Sequence, residues 1–136
     1  MPSRLEGCLL GVLLMGALAS VAHAAPDWSQ LADVQTVEVI STEEDGGSRV
    51  TTVWIVVLDH QAYLRTAGTR WGDNVEREGK LRLRFPVGEY ALRAEKVLSA
   101  AEVERVVAAF REKYGTSDVL AGLFRFGERR VFHLVE

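Results

Sequence analysis

The residues of this chain best suited to chemistry gather in one stretch: Tyr63-Leu64-Arg65-Thr66-Ala67-Gly68-Thr69-Arg70-Trp71-Gly72-Asp73-Asn74. Two guanidinium groups, two threonine hydroxyls and intervening glycine are the materials of an oxyanion site. Arginine forks grip phosphate bidentately, hydroxyls donate to it, and glycine lets backbone approach it. Trp71 offers an aromatic wall for a flat ring, or a plug for the end of a barrel. Taken on its residues alone, the stretch is either an anion-binding loop or a structural connection.

Other chemistries find less material. Beyond residue 24 the histidines are His60 and His133, far apart in sequence, and no Gly-x-Ser-x-Gly occurs. Nothing therefore points to a Ser-His-Asp arrangement. A metal site needs three or four converging ligands, and two isolated histidines do not supply them. Glu43, Glu44 and Asp45 precede Gly46-Gly47 and read as a solvated hairpin tip rather than as paired catalytic carboxylates. Neither a phosphate-binding P-loop nor a Gly-x-Gly-x-x-Gly fingerprint is present.

The first 24 residues read as a secretory signal peptide. Arg4 gives the positive start, 9–22 run without a charge, and Ala22-His23-Ala24 places cleavage before Ala25. That run falls short of the ~18 residues of a spanning helix. The expectation is an exported protein, periplasmic or secreted, with no stable membrane insertion after cleavage. Removal of Cys8, the single cysteine, leaves no thiol and no disulfide. Residues 25–33 form a lead-in and 34–136 one domain. The 136 residues carry 16 Lys+Arg against 19 Asp+Glu, with 48% apolar and 26% charged positions. Those fractions belong to an ordinary globular chain, and the absence of a basic domain argues against a nucleic-acid partner. Charge is uneven: 25–62 nets −6, 63–93 nets +3 and 94–136 is neutral. An anion is expected at the middle third.

The elements that must position these groups follow from periodicity. Strands are predicted over 34–42, 49–58 and 61–66, with Asp59-His60 joining the last two. Residues 53–58 are apolar on both faces and should lie between two layers. Residues 67–79 show no strand pattern and read as loop. Strands 80–85 and 89–97 should pair around Val87-Gly88, setting Phe85 against Tyr90, Leu83 against Leu92 and Leu81 against Ala94. Arg82, Arg84 and Arg93 then share a solvated face. Ser99 and Glu102 form a capping box opening a helix to about Tyr114, with Val103, Val106, Val107, Phe110 and Tyr114 as its stripe and Gly115 as its stop. Residues 116–123 are read as a further turn of helix, and 124–136 as a last strand or a bulged hairpin around Gly127-Glu128. The fold class is α+β, mainly β: a small split β-barrel of about six mostly antiparallel strands capped by one substantial helix.

From about residue 49 to 136 the chain resembles the pyridoxamine-phosphate-oxidase-like split-barrel flavoproteins, nearest the deazaflavin-dependent nitroreductase type. The matching words are Arg49-Val50-Thr51-Thr52-Val53-Trp54, the strand end Arg65-Thr66 and the following Trp71-x-x-Asn74. A strand, a return strand and a helix with a Glu-rich start then come in the family's order. The resemblance implies FMN or a deazaflavin as cofactor, with Arg65, Thr66 and Arg70 on its phosphate. Arg49, Thr51 and Thr52 would lie along the ring, with Trp71 and Asn74 at its edge. The cofactor would supply hydride transfer, so no acid–base residue is demanded of the protein. A homodimer is also implied. With one arginine in the leader the chain would be exported unfolded, and the cofactor would be acquired outside. The competing reading is a cofactor-free, non-enzymatic exported module that binds another anionic or planar ligand or a partner protein. In that case the arginines would pair with Asp73, Glu76 or Glu78 at the surface.

Overall fold

The computed structural model describes residues 26–86, 88–115 and 129–136. Its strands are β1 (Thr36–Thr42), β2 (Ser48–Leu58), β3 (Gln61–Thr66), β4 (Lys80–Phe85), β5 (Gly88–Lys96) and β6 (Arg130–Val135). They close into a six-stranded barrel in the order β1-β2-β3-β6-β5-β4, every pairing antiparallel. Side chains alternate across each strand, so Val39, Ile55, Leu64, Leu83 and Phe132 point inward and are fully buried.

The barrel ends are closed by two short helical pieces. A 3-10 turn, Trp28–Leu31, lies within the expected lead-in and buries Leu31 in the barrel core. Helix α1 (Arg70–Glu78) buries Trp71 and Val75 there too. Helix α2 (Ala100–Tyr114) packs outside, where Val106 and Phe110 meet Val56, Tyr63 and Val131. β2 therefore lies between two apolar layers, as its sequence predicts. Each such large side chain contributes about 1.5–3 kcal/mol by leaving water. The Trp54 and Tyr114 rings stack at 4.3 Å, and Tyr114 binds the backbone of Ile55 and Gln35 through its hydroxyl. These contacts fix the end of α2 to β1 and β2.

Three expectations are corrected. Residues 67–79 are not all loop, since α1 occupies most of them. The β4–β5 hairpin turns one residue earlier than predicted, which shifts the register by two and pairs Phe85 with Gly88, Leu83 with Tyr90 and Leu81 with Leu92. A shift of two residues leaves every side chain on its own face, and it brings Arg84 opposite Glu89. Finally, Ser99 caps α2 by accepting from the Glu102 amide, while the Glu102 carboxylate accepts from the Tyr63 hydroxyl at 3.0 Å. The expected turn over 116–123 and the bulge at Gly127-Glu128 lie outside the described residues, as does Val87.

Candidate functional site

The turn from β3 into α1 explains why the suspected loop folds as it does. Thr69 is the N-cap of α1, its hydroxyl accepting from the Gly72 amide and lying 2.5 Å from the Thr66 hydroxyl. Gly79 ends the helix in the left-handed region, with φ +69°, where glycine is unstrained. Gly72 is required by space rather than by dihedral angle. A Cβ there would lie 2.6 Å from Thr66 Cγ2 and 2.8 Å from Arg130 Nη2.

Arg130 is the residue that sequence reasoning missed. It opens β6 on the inward parity of Phe132 and Leu134, and its buried guanidinium fills the concavity of the β3–α1 turn. Nη2 donates to the carbonyls of Ala67 (2.7 Å) and Thr69 (3.3 Å), and Nη1 to Asp73 (2.9 Å) and Glu76 (3.0 Å). Asp73 and Glu76, two of the three acids that the competing reading pairs with the loop's arginines, thus neutralise Arg130, while Glu78 pairs with Arg77. A charged residue at an inward strand position was the available signal.

The eight suspected cofactor contacts separate into five places. Arg65 and Thr66 are neighbours on β3 and so face opposite ways. Thr66 turns to the α1 cap, whereas Arg65 is buried beneath α2, its guanidinium 5.8 Å from the Phe110 ring centre. Burial, with Arg129 and Arg111 adding like charge, brings the Arg65 pKa down to about 10. Arg65 therefore does not join Thr66 and Arg70 in one cleft. Trp71 sits in the barrel core with its ring 6.2 Å from Phe132, in the plug position. Thr52, exposed on the outer side of β2, lines a separate groove of about 480 Å³ with Glu38, Arg84 and Phe85.

The remaining contacts do converge, at the mouth between the β1–β2 hairpin and α1. Arg49 pairs with Glu43 across the hairpin, and Thr51 lies two residues along β2, on the same face. From α1, Asn74 is buried, donating to Ser41 Oγ (3.2 Å) and accepting from Arg77. Arg77 also donates to the Thr42 carbonyl at 2.7 Å, which binds the helix to the hairpin. The Glu43 carboxyl is held below its usual range, chiefly by the Arg49 guanidinium, with the Asn74 amide and the Arg70 charge adding to it against the effect of burial. Arg49 thus pairs with this carboxylate, and Asn74 and the Arg70 charge act on it from α1. Around it the mouth has the donors that a phosphate needs, two guanidinium groups and an amide.

Comparison with known proteins agrees with this architecture. A family model described as "uncharacterized protein conserved in bacteria (DUF2255)" matches residues 27–130. No curated protein matches the chain. Among solved structures, the conserved hypothetical protein Rv2991 from Mycobacterium tuberculosis superposes with a TM-score of 0.63 at 20% identity, covering 84% of this chain and 82% of that one. HutZ, the heme storage protein from Vibrio cholerae, gives 0.62 at 15% identity over 81% and 87%. A candidate pyridoxamine 5′-phosphate oxidase from Listeria innocua gives 0.56 at 13% identity over 79% and 88%. The fold is the split barrel of the pyridoxamine-phosphate-oxidase-like proteins.

Proposed function

We propose, from the premise that the chain belongs to the DUF2255 family of bacterial proteins, that it is an exported binder of a phosphate-bearing planar cofactor. FMN or a deazaflavin is the class, and the activity is oxidoreductase-like, as in the deazaflavin-dependent nitroreductases that the sequence resembles. The observation carrying this reading is the Arg49–Glu43 ion pair at the barrel mouth, where the chain's own carboxylate takes the place of an anion, with Asn74 and the Arg70 charge also acting on it. Arg49 and Arg70 bind the phosphate, and Asn74, fixed by Ser41 and Arg77, orients it. The bound cofactor supplies the hydride chemistry. Arg65 and Trp71 hold the barrel and take no part in the site.

The test is a fluorescence titration of the purified protein with FMN and riboflavin. Saturable FMN binding, at least tenfold tighter than riboflavin, is expected. Arg49→Ala combined with Arg70→Ala should erase that preference while leaving thermal unfolding within a few degrees, since both side chains are on the surface. No binding at ~100 μM ligand, weaker than roughly −5.5 kcal/mol, overturns the reading.

One observation favours a second ligand class, a metalloporphyrin. At the opposite end of the barrel a cavity of about 510 Å³ is lined by both His60 and His133, beside Trp28. His60 sits at φ +61° beside Asp59 at φ +51°, the positive-φ pair that a two-residue hairpin turn requires, and the turn holds its imidazole at this end of the barrel. Among the described residues no three metal-ligating side chains converge, so a bare metal ion lacks ligands. Porphyrin iron brings four of its own and needs one or two imidazoles. Hemin titration should then give a shifted Soret band that His60→Ala and His133→Ala each weaken. An unshifted band at equimolar hemin ends this reading.

A further inference from the structure

The mouth that the proposed function assigns to phosphate already holds an anion of the chain's own. Three consecutive acids follow β1, and they behave differently. Asp45 turns inward on the hairpin and accepts from the Gly47 amide at 2.8 Å. Glu44 is exposed, 3.7 Å from Arg77. Glu43 alone turns into the mouth, its side chain only 22% exposed and paired with Arg49. Its backbone is fixed by the hydrogen bond that its amide donates to the Gly47 carbonyl (2.7 Å), so the carboxylate is delivered by a rigid hairpin rather than by a wandering side chain. α1 is bound to the same corner through Arg77 and the Thr42 carbonyl.

We propose that Glu43 is a built-in competitor for the oxyanion site: its carboxylate occupies the Arg49 guanidinium, and a ligand enters by displacing it. This inference rests on the phosphate reading of the mouth and adds its selectivity. A guanidinium accepts carboxylate and phosphate with the same fork, so an incoming monocarboxylate only exchanges like for like. A phosphate monoester carries up to two negative charges at neutral pH and a third oxygen for Asn74 or Arg70, and so gains on exchange. An uncharged ligand such as riboflavin gains nothing from the mouth. Displacement is feasible because an ion pair this close to solvent is weak. Glu43 therefore raises the threshold for every anion and leaves phosphate monoesters as the class that passes it.

The experiment compares FMN and riboflavin titrations of the wild-type protein with Glu43→Gln and Glu44→Gln. Glutamine keeps the size of the side chain and loses the charge. Glu43→Gln should tighten FMN binding about five- to tenfold and leave riboflavin unchanged, whereas Glu44→Gln should stay within twofold of wild type. If Glu43→Gln binds FMN no tighter than wild type, the competitor role is wrong while the phosphate site stands. If Glu44→Gln tightens binding equally, the effect is net charge and the role is again wrong. If neither wild type nor Glu43→Gln binds FMN, the phosphate reading itself fails, and this inference with it.

Discussion

Trp71→Ala is expected to cost the barrel about 3–5 kcal/mol, the loss typical of truncating a buried aromatic. Trp71 is 6% exposed and belongs to the same core as Leu31, Val75 and Phe132. Its removal opens a cavity at the end of the barrel, which the short helix α1, with Val75 as its other core residue, cannot collapse to fill. A domain of this size is stable by only about 5–15 kcal/mol, so the variant will be marginal at 37 °C. Trp71→Phe keeps a ring in the cavity and should lose less than half as much. Urea unfolding of both variants decides the matter. A wall of a ligand site would behave differently: Trp71→Ala would unfold within about 1 kcal/mol of wild type and lose binding only. That outcome would overturn the plug assignment.

What the sequence made legible, and what it concealed, has a physical pattern. β3 and β4 are read to the residue, because QAYLRT and KLRLRF alternate under the constraint of one buried face. α2 is legible because its stripe recurs over four turns and its ends carry Ser99 and Gly115. α1 is concealed because it has nine residues, too few for periodicity to show, and three glycines in its neighbourhood suggest a loop. Two of those glycines lie outside the helix, Gly68 before it and Gly79 as its cap. The hairpin register is concealed for another reason: face-sorting has period 2 and is blind to a shift of two. The candidate site is half legible. Residue type pointed to Arg70 and Asn74 and the family resemblance to Arg49, but neither could say that neighbouring Arg65 and Thr66 face opposite sides of their strand. Nor could it reveal that Glu43 enters the mouth while Glu44 does not.

Arg130→Met carries the second large effect, about 2–3 kcal/mol, in the range of a hydrogen-bonded buried charge. Methionine preserves much of the stem's volume, so the loss reports the guanidinium. The carbonyls of Ala67 and Thr69 each keep one other donor, from the Thr69 and Asp73 amides. The cost therefore falls on the docking of α1 rather than on stranded polar groups. Asp73 and Glu76 are 68% and 41% exposed, and water will solvate them once Arg130 is gone. This sets the effect below that of Trp71. The variant also has a pH signature. Lys96 first, and Arg130 second, hold the Glu76 carboxyl below its ordinary 4.5. A carboxyl so depressed contributes stability that is complete above pH 4.5 and is lost as pH falls through its folded value. Arg130→Met removes one of the two cations, so its stability should fall less steeply than wild type between pH 5 and 3. Thermal melts across that window test both parts. Equal stability of the two proteins at pH 7 would show that Arg130 does not hold α1 to the barrel.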